Sequence, residues 1–347
     1  MNNFTCAVLV DDQQVISLGH GSGGKQTSQL IKQIFLPAFG NDKLNMLHDG
    51  VLLDIPSSQI VFTTDSYVIQ PIFFPGGDIG KLAVTGTVND LAMCGAKPLY
   101  LSCSFIIEEG FLQSHLQRIV NAMQAEAEAN GVQIVAGDTK VIERHMGKNI
   151  FINTTGIGIS LSKEPINPLQ IKPNDCIILS GDIGRHGVAV MAERENLTFS
   201  SPLISDCASL FPIVRALLGE GIRVHCLRDI TRGGLATALV ELSESSDMDF
   251  SILEEAIAID TAVDSVCEIL GLDPLYVANE GRFVAFVPED QAESALKIIR
   301  QFPEGYLANA IGQVHPKARS PRAIIKNALG IERNLYRLMG DQLPRIC

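Results

Sequence analysis

A stretch suited to neither helix nor strand, Ser162-Lys163-Glu164-Pro165-Ile166-Asn167-Pro168, divides this chain into two α/β patterns. Its prolines lack a backbone donor and its other residues are mostly polar, so it reads as a linker. At 347 residues the chain has length for two halves, each burying its own core. The predicted division is an extension over 1–18, a first α/β unit over 19–161, a second over 169–321, and a C-terminal segment and tail over 322–347.

Apolar spacing supplies the elements. Residues 30, 31, 34 and 35 are apolar at helical spacing within 29–35. A strand is expected over 60–64, ending at Asp65. A buried helix rich in Ala, Val and Leu follows over 81–95. Strand 99–107, helix 115–130 closed by Gly131, strand 133–136 and strand 150–159 complete the first half. Strand 133–136 leads into Gly137-Asp138-Thr139. In the second half a strand over 176–179 runs into the turn Ser180-Gly181-Asp182. A helix follows Asp229-Ile230-Thr231-Arg232-Gly233-Gly234, with strands over 281–287 and 307–314. No solenoid repeat or low-complexity tract interrupts this order.

The net charge of −12 argues against a nucleic-acid or anionic-membrane partner, because no basic field attracts phosphates from a distance. Any phosphate ligand must be held locally by backbone amides and metal ions. The eight cysteines form no CxxC pair, which argues against a structural zinc site. The N-terminus has no basic region before an apolar run, and no apolar stretch reaches the ~20 residues of a membrane span. A reducing cytoplasm is expected, with Cys347 kept as a thiol.

The glycine loop Gly19-His20-Gly21-Ser22-Gly23-Gly24-Lys25 fits the first seven positions of a P-loop. The eighth is Gln26, where that motif needs Ser or Thr, and the apolar run before the loop is short. The alternatives are a glycine segment whose amides wrap a phosphate chain and a mobile linker. Asp49, Asp65, Asp90 and Asp138 follow or neighbour strand-like segments, and strand ends in α/β sheets often face a common crevice. Carboxylates converging there would need cations between them, and magnesium with a polyphosphate would serve. Taken singly, each acid reads equally as a helix cap or turn residue. Asp229 and Thr231 lie at an expected helix N-terminus, a natural anion site, with an N-cap role for Asp229 as the alternative. Glu280 reads as a turn residue or a general base. Lys140 reads as a phosphate contact, a group tuning a base, or a solvated charge. Cys347, on the terminal Pro344-Arg345-Ile346-Cys347, offers a soft nucleophile able to carry an acyl-type group between active sites, with an inert terminal thiol as the alternative when it is taken alone.

In this order the motifs resemble the AIR-synthetase (PurM)-like ATP-binding superfamily. The resemblance runs from His20-Gly21-Ser22-Gly23-Gly24 through Thr64-Asp65-Ser66-Tyr67-Val68, Phe73-Phe74-Pro75-Gly76-Gly77 and Asn89-Asp90-Leu91. It continues through Gly137-Asp138-Thr139-Lys140, Leu227-Arg228-Asp229, Thr231-Arg232-Gly233-Gly234 and Ala278-Asn279-Glu280-Gly281. With the terminal Pro-Arg-Ile-Cys, the chain resembles the carbamoyl dehydratases of [NiFe]-hydrogenase maturation. That implies an α/β (α+β) fold of two PurM-like domains, a homodimer through the N-terminal domains, and ATP with Mg²⁺. The segment 69–74 is a candidate for the dimer contact, with a core role as its alternative.

The resemblance also implies an order of events. A carbamoyltransferase, HypF, loads Cys347; ATP then activates the carboxamide oxygen, and dehydration leaves a thiocyanate. Its cyanide passes to iron on a HypC–HypD scaffold. Catalytic roles fall to Cys347, Glu280 and Lys140. Nucleotide binding falls to Gly21, Ser22, Gly23, Gly24, Asn89, Thr139 and Thr231, and metal binding to Asp49, Asp65, Asp90, Asp138 and Asp229. Two features depart from the pattern: a segment before Gly19 longer than the family needs, and Lys25. The competing functions are selenophosphate or aminoimidazole ribonucleotide synthesis, and a carrier that only shuttles the group. The glycine loop lacks the reactive cysteine of selenophosphate enzymes, and a mere carrier needs no set of ATP-site acids.

Overall fold

The computed structural model describes residues 15–22, 24–47, 51–56, 59–147, 149–195 and 203–337. Gly23, Asp49, Cys347 and most of the 1–18 extension lie outside the described residues.

The first half contributes β1 (Ile60–Tyr67), β2 (Ala96–Glu108), β3 (Gln133–Ile142) and β4 (Ile150–Ser160). They form one sheet in the order β1-β4-β2-β3, antiparallel except for the parallel pair β2–β3. That parallel pair needs a crossover, supplied by helix α2 (Gln113–Asn130). Helix α2 ends at Gly131, whose φ of 63° is the left-handed cap expected of it. Helix α1 (Ile79–Met93) opens with Asp78, whose carboxylate accepts from the amides of Gly80 and Lys81 at 2.8 and 2.9 Å. It is buried nearly all round, because it lies between its own sheet and the second half.

The second half contributes β5 (Asp175–Leu179), β6 (Cys226–Asp229), β7 (Met248–Leu253), β8 (Phe283–Pro288), β9 (Asn309–Pro316), β10 (Ala323–Lys326) and β11 (Glu332–Asn334), ordered β11-β10-β7-β9-β5-β8-β6. Strands β5 and β8 are buried almost throughout, matching their unbroken apolar runs. One apolar cluster joins the halves, from Leu82 and Val88 on α1 to Ile213, Val214 and Phe283.

Several expectations are corrected. Strand β1 does not end at Asp65 but continues through Tyr67, with Asp65 opposite Thr154. Strand β3 likewise runs on to Ile142, so Gly137-Asp138-Thr139 lies within it, paired with residues 103–105. In both cases a neighbouring strand continues the ladder past residues that read locally as a turn. Ile16, assigned to the extension, is fully buried and exchanges backbone hydrogen bonds with Gly110 and Phe111. Ile69, Ile72 and Phe74 are core residues, so segment 69–74 does not offer them as an apolar dimer contact.

Candidate active site

A cleft of about 1290 Å³ opens between the halves. Thr63, Asp65, Asp90 and Cys94 line it from the first half, and Arg228, Asp229, Thr231, Arg232 and Glu280 from the second. Strand β1 delivers Thr63 and Asp65 to one side, as alternation along a strand requires. Thr63 Oγ1 donates to Asp90 Oδ2 at 2.9 Å. Asp229 is the last residue of β6, held by pairing with Phe283. The N-cap of the following helix, α3 (Gly234–Ser246), is Gly233, so the capping alternative for Asp229 fails.

Glu280 sits in the turn entering β8. Its amide and that of Gly281 donate to the two oxygens of Asp206, at 3.3 and 3.2 Å. Burial pushes the Glu280 carboxyl well above the ordinary carboxylate range, and Asp229, Asp206, Asp65 and Asp90 push it further. Burial, then Asp229, raises Asp90 to about 7, opposed by the Thr63 hydrogen bond. Burial raises Asp229 too, opposed chiefly by the Arg228 guanidinium. A carboxyl whose proton affinity is raised by burial in a cleft is suited to proton abstraction, and crowded acids favour a cation.

The remaining candidates are elsewhere. Across the first sheet, Asp65, Thr154, Cys103 and Gly137 form one row; Ser66, Asn153, Ser104 and Asp138 form the next. Adjacent rows face opposite sides of a sheet, so Asp65 and Asp138 differ in both face and edge. The expected convergence of Asp138 with Asp65 and Asp90 therefore does not occur within one chain. Asp138 and Lys140 are exposed on the far edge strand, 3.6 Å apart, with Thr139 between them. Gly21 packs against that same strand, so closely that a Cβ would lie 2.4 Å from the Val141 nitrogen. The described part of the glycine loop, including Ser22 and Gly24, thus joins Asp138, Thr139 and Lys140 in a second cluster. Among the described residues no strand of the sheet runs into the loop, where Val15 makes an isolated bridge to Leu112, so the P-loop alternative finds no support there. Asn89 is buried, and its amide is committed to the backbone of Ala208, Glu280 and Leu210 rather than to the cleft.

Thr63 and Asp206 were not among the sequence candidates. Thr63 was legible, two residues before Asp65 on one strand face; Asp206 carried no local signal.

Among the described residues, no three His, Cys, Asp or Glu side chains gather as a metal cage. Magnesium does not require one: it is held through one or two carboxylates plus phosphate oxygens, and Asp65, Asp90 and Asp229 supply the hard oxygen donors that fit it.

Residues 47–160 match the family described as AIR synthase related protein, N-terminal domain, and 172–322 its C-terminal domain. The chain is 45% identical over 333 residues to the carbamoyl dehydratase HypE of Azotobacter vinelandii, spanning 96% of this chain and 97% of that protein. A crystal structure of hydrogenase maturation protein HypE in complex with ATP superposes with a TM-score of 0.92 at 45% identity, covering 95% of this chain and 99% of that one. A HypE chain from a HypE–HypF complex superposes with a TM-score of 0.78 at 44% identity, covering 89% and 99%.

Proposed function

Since the chain belongs to the AIR synthase related family and, within it, to the carbamoyl dehydratases HypE, we propose that it uses ATP to dehydrate a carbamoyl group carried on Cys347. The product is a thiocyanate that supplies cyanide for the iron of a [NiFe]-hydrogenase. The observation that carries this reading is the convergence of Asp65, Asp90, Asp229 and Glu280 on one cleft.

The carboxamide oxygen of the S-carbamoyl group attacks the γ-phosphorus of ATP, releasing ADP. The C–O bond then breaks with phosphate as leaving group, and the nitrogen gives up both protons to leave the nitrile. Glu280, raised by burial and then by its acidic surroundings, takes a proton from that nitrogen. Asp65, Asp90 and Asp229 would hold Mg²⁺, which when bound neutralises charge on the transferring phosphoryl group. Thr231 and Arg232 line the same cleft and are assigned to the phosphates.

The second cluster enters through a second copy of the chain. Phe62, Ile157 and Tyr100 form a row across the sheet face opposite α1 and α2, and Phe62 is 65% exposed. A copy packed on that face, with its β3 beside β1, would bring Gly21, Ser22, Gly24, Asp138, Thr139 and Lys140 to the cleft. Lys140 then assists proton removal and Asp138 the metal. HypF is the carbamoyl donor partner and a HypC–HypD scaffold the acceptor. No helix among the described residues is long and apolar enough to cross a membrane. The six cysteines among them are free thiols, which fits a reducing cytoplasm.

The test is single-turnover mass spectrometry on carbamoylated protein. Mg-ATP should remove the mass of one water from the peptide bearing Cys347, with one ADP formed per nitrile. Cys347→Ala should take up no carbamoyl group while still binding ATP. A carbamoyl adduct on Cys94 or Cys226, or ADP formed without water loss, would overturn the assignment.

A further inference from the structure

Asp206 is a buried carboxylate, yet it touches no reacting group and forms no close ion pair among the described residues. Its two oxygens are spent on two consecutive amides, those of Glu280 and Gly281. Burying a carboxylate is costly unless the position matters, and here both of its oxygens are needed, one for each amide. The two loops are in direct backbone contact: a Cβ on Gly281 would lie 1.9 Å from the Asp206 carbonyl oxygen. The Glu280 carbonyl is gripped from the other side, by the Asn89 amide at 3.4 Å and the Ala208 amide at 3.5 Å.

The loop carrying Asp206 is itself tied to the first half. The Ser205 amide donates to the Pro75 carbonyl at 2.9 Å, and the Leu210 amide donates to Asn89 Oδ1 at 2.7 Å. Cys207 Sγ lies 3.4 Å from Thr85 Oγ1 on α1. Asn89 precedes Asp90 on that helix, so a single rigid element carries both the clamp on the Glu280 backbone and an acid of the cleft.

We propose that Asp206 and Asn89 are positioning residues that clamp the backbone at Glu280 and Gly281 and so hold the Glu280 carboxylate in register with Asp90 across the cleft. This rests on Glu280 being the base. The clamp acts on the proton-removing step and not on nucleotide binding, because neither residue lines the cleft.

The experiment compares Asp206→Asn, Glu280→Gln and the double variant in single turnover of the carbamoylated protein with Mg-ATP. Asp206→Asn keeps the side-chain volume but presents a donor where an amide needs an acceptor. It should slow water loss by on the order of 10–100-fold, with half-saturating ATP changed less than about twofold. On the Glu280→Gln background it should cost less than about twofold, because its effect passes through Glu280. Asp206→Glu, which restores a carboxylate, should recover part of the loss. Amide exchange read by mass spectrometry gives a second measure. The Glu280 and Gly281 amides should exchange at least about tenfold faster in Asp206→Asn, while those of β8 stay protected. Equal losses on both backgrounds, a matching rise in half-saturating ATP, or unchanged exchange would overturn the clamp. Full activity in Glu280→Gln would instead overturn the assignment of the base.

Discussion

Asp90 lies on α1 with a threonine hydroxyl 2.9 Å away and Asp229 among the charges that disfavour its ionisation. Its carboxyl is raised to about 7, so between the ordinary carboxylate value near ~4 and about 7 the native state holds a proton that the unfolded chain has released. The stability this group confers on metal-free protein is therefore present at low pH and lost as pH rises through that window. Asp90→Asn removes the cost of the buried charge. In chelator and without nucleotide, its melting temperature at pH 8 should exceed wild type by about 1–4 °C, with the gap closing towards pH 4.5. Mg-ATP should stabilise wild type and no longer stabilise the variant. A lower melting temperature for Asp90→Asn at pH 8 would mean that the ionised carboxylate is a net stabiliser and not a buried cost.

Between β6 and α3 the chain must reverse within Ile230–Gly233, leaving Asp229 and Thr231 facing the cleft. Gly233 and Gly234 both take left-handed backbone, with φ of 75° and 62°. A Cβ on Gly234 would lie 2.5 Å from the Leu275 carbonyl oxygen, so strain and collision add. Gly234→Ala should lower unfolding stability by about 2–4 kcal/mol, read as a fall in urea midpoint at unchanged slope. ATP binding should weaken alongside it, because Thr231 moves with the turn. An unchanged midpoint would show that the turn relaxes freely. The glycine pair was legible as a helix start; that a carbonyl from a distant part of the chain forbids a side chain there was not.

At the scale of the whole molecule, the two residue clusters occupy opposite edges of one sheet, and a two-fold pair of chains would assemble each site from both copies. Asp65→Asn and Lys140→Ala then damage the same site from different chains. Each homodimer should lose at least ~100-fold in dehydration rate. Mixed dimers should regain activity, since one of their two sites carries both intact residues; a random mixture should reach roughly a quarter of the wild-type rate, half the dimers having one working site of two. Mixing that restores nothing, with heterodimers demonstrated by native mass spectrometry, would place both residues in one chain's site.

By itself the sequence determined the two α/β halves, the residue types needed for phosphoryl transfer and proton removal, and the local features set by spacing and turn chemistry. Helix 115–130 with its Gly131 cap came through nearly unaltered, because capping depends on neighbours in the chain. The extents of β1 and β3 did not, because a strand ends where its partner's ladder ends. Tertiary structure alone decided which acids meet: it joined residues 65, 90, 229 and 280 in one cleft and left 138 on the other face of the sheet. It also converted Asn89 from a nucleotide candidate into a backbone clamp and brought in Asp206. Burial and like-charge crowding depend on segments far apart in the chain, so the raised proton affinities of Asp90 and Glu280 exist only once those segments are packed together.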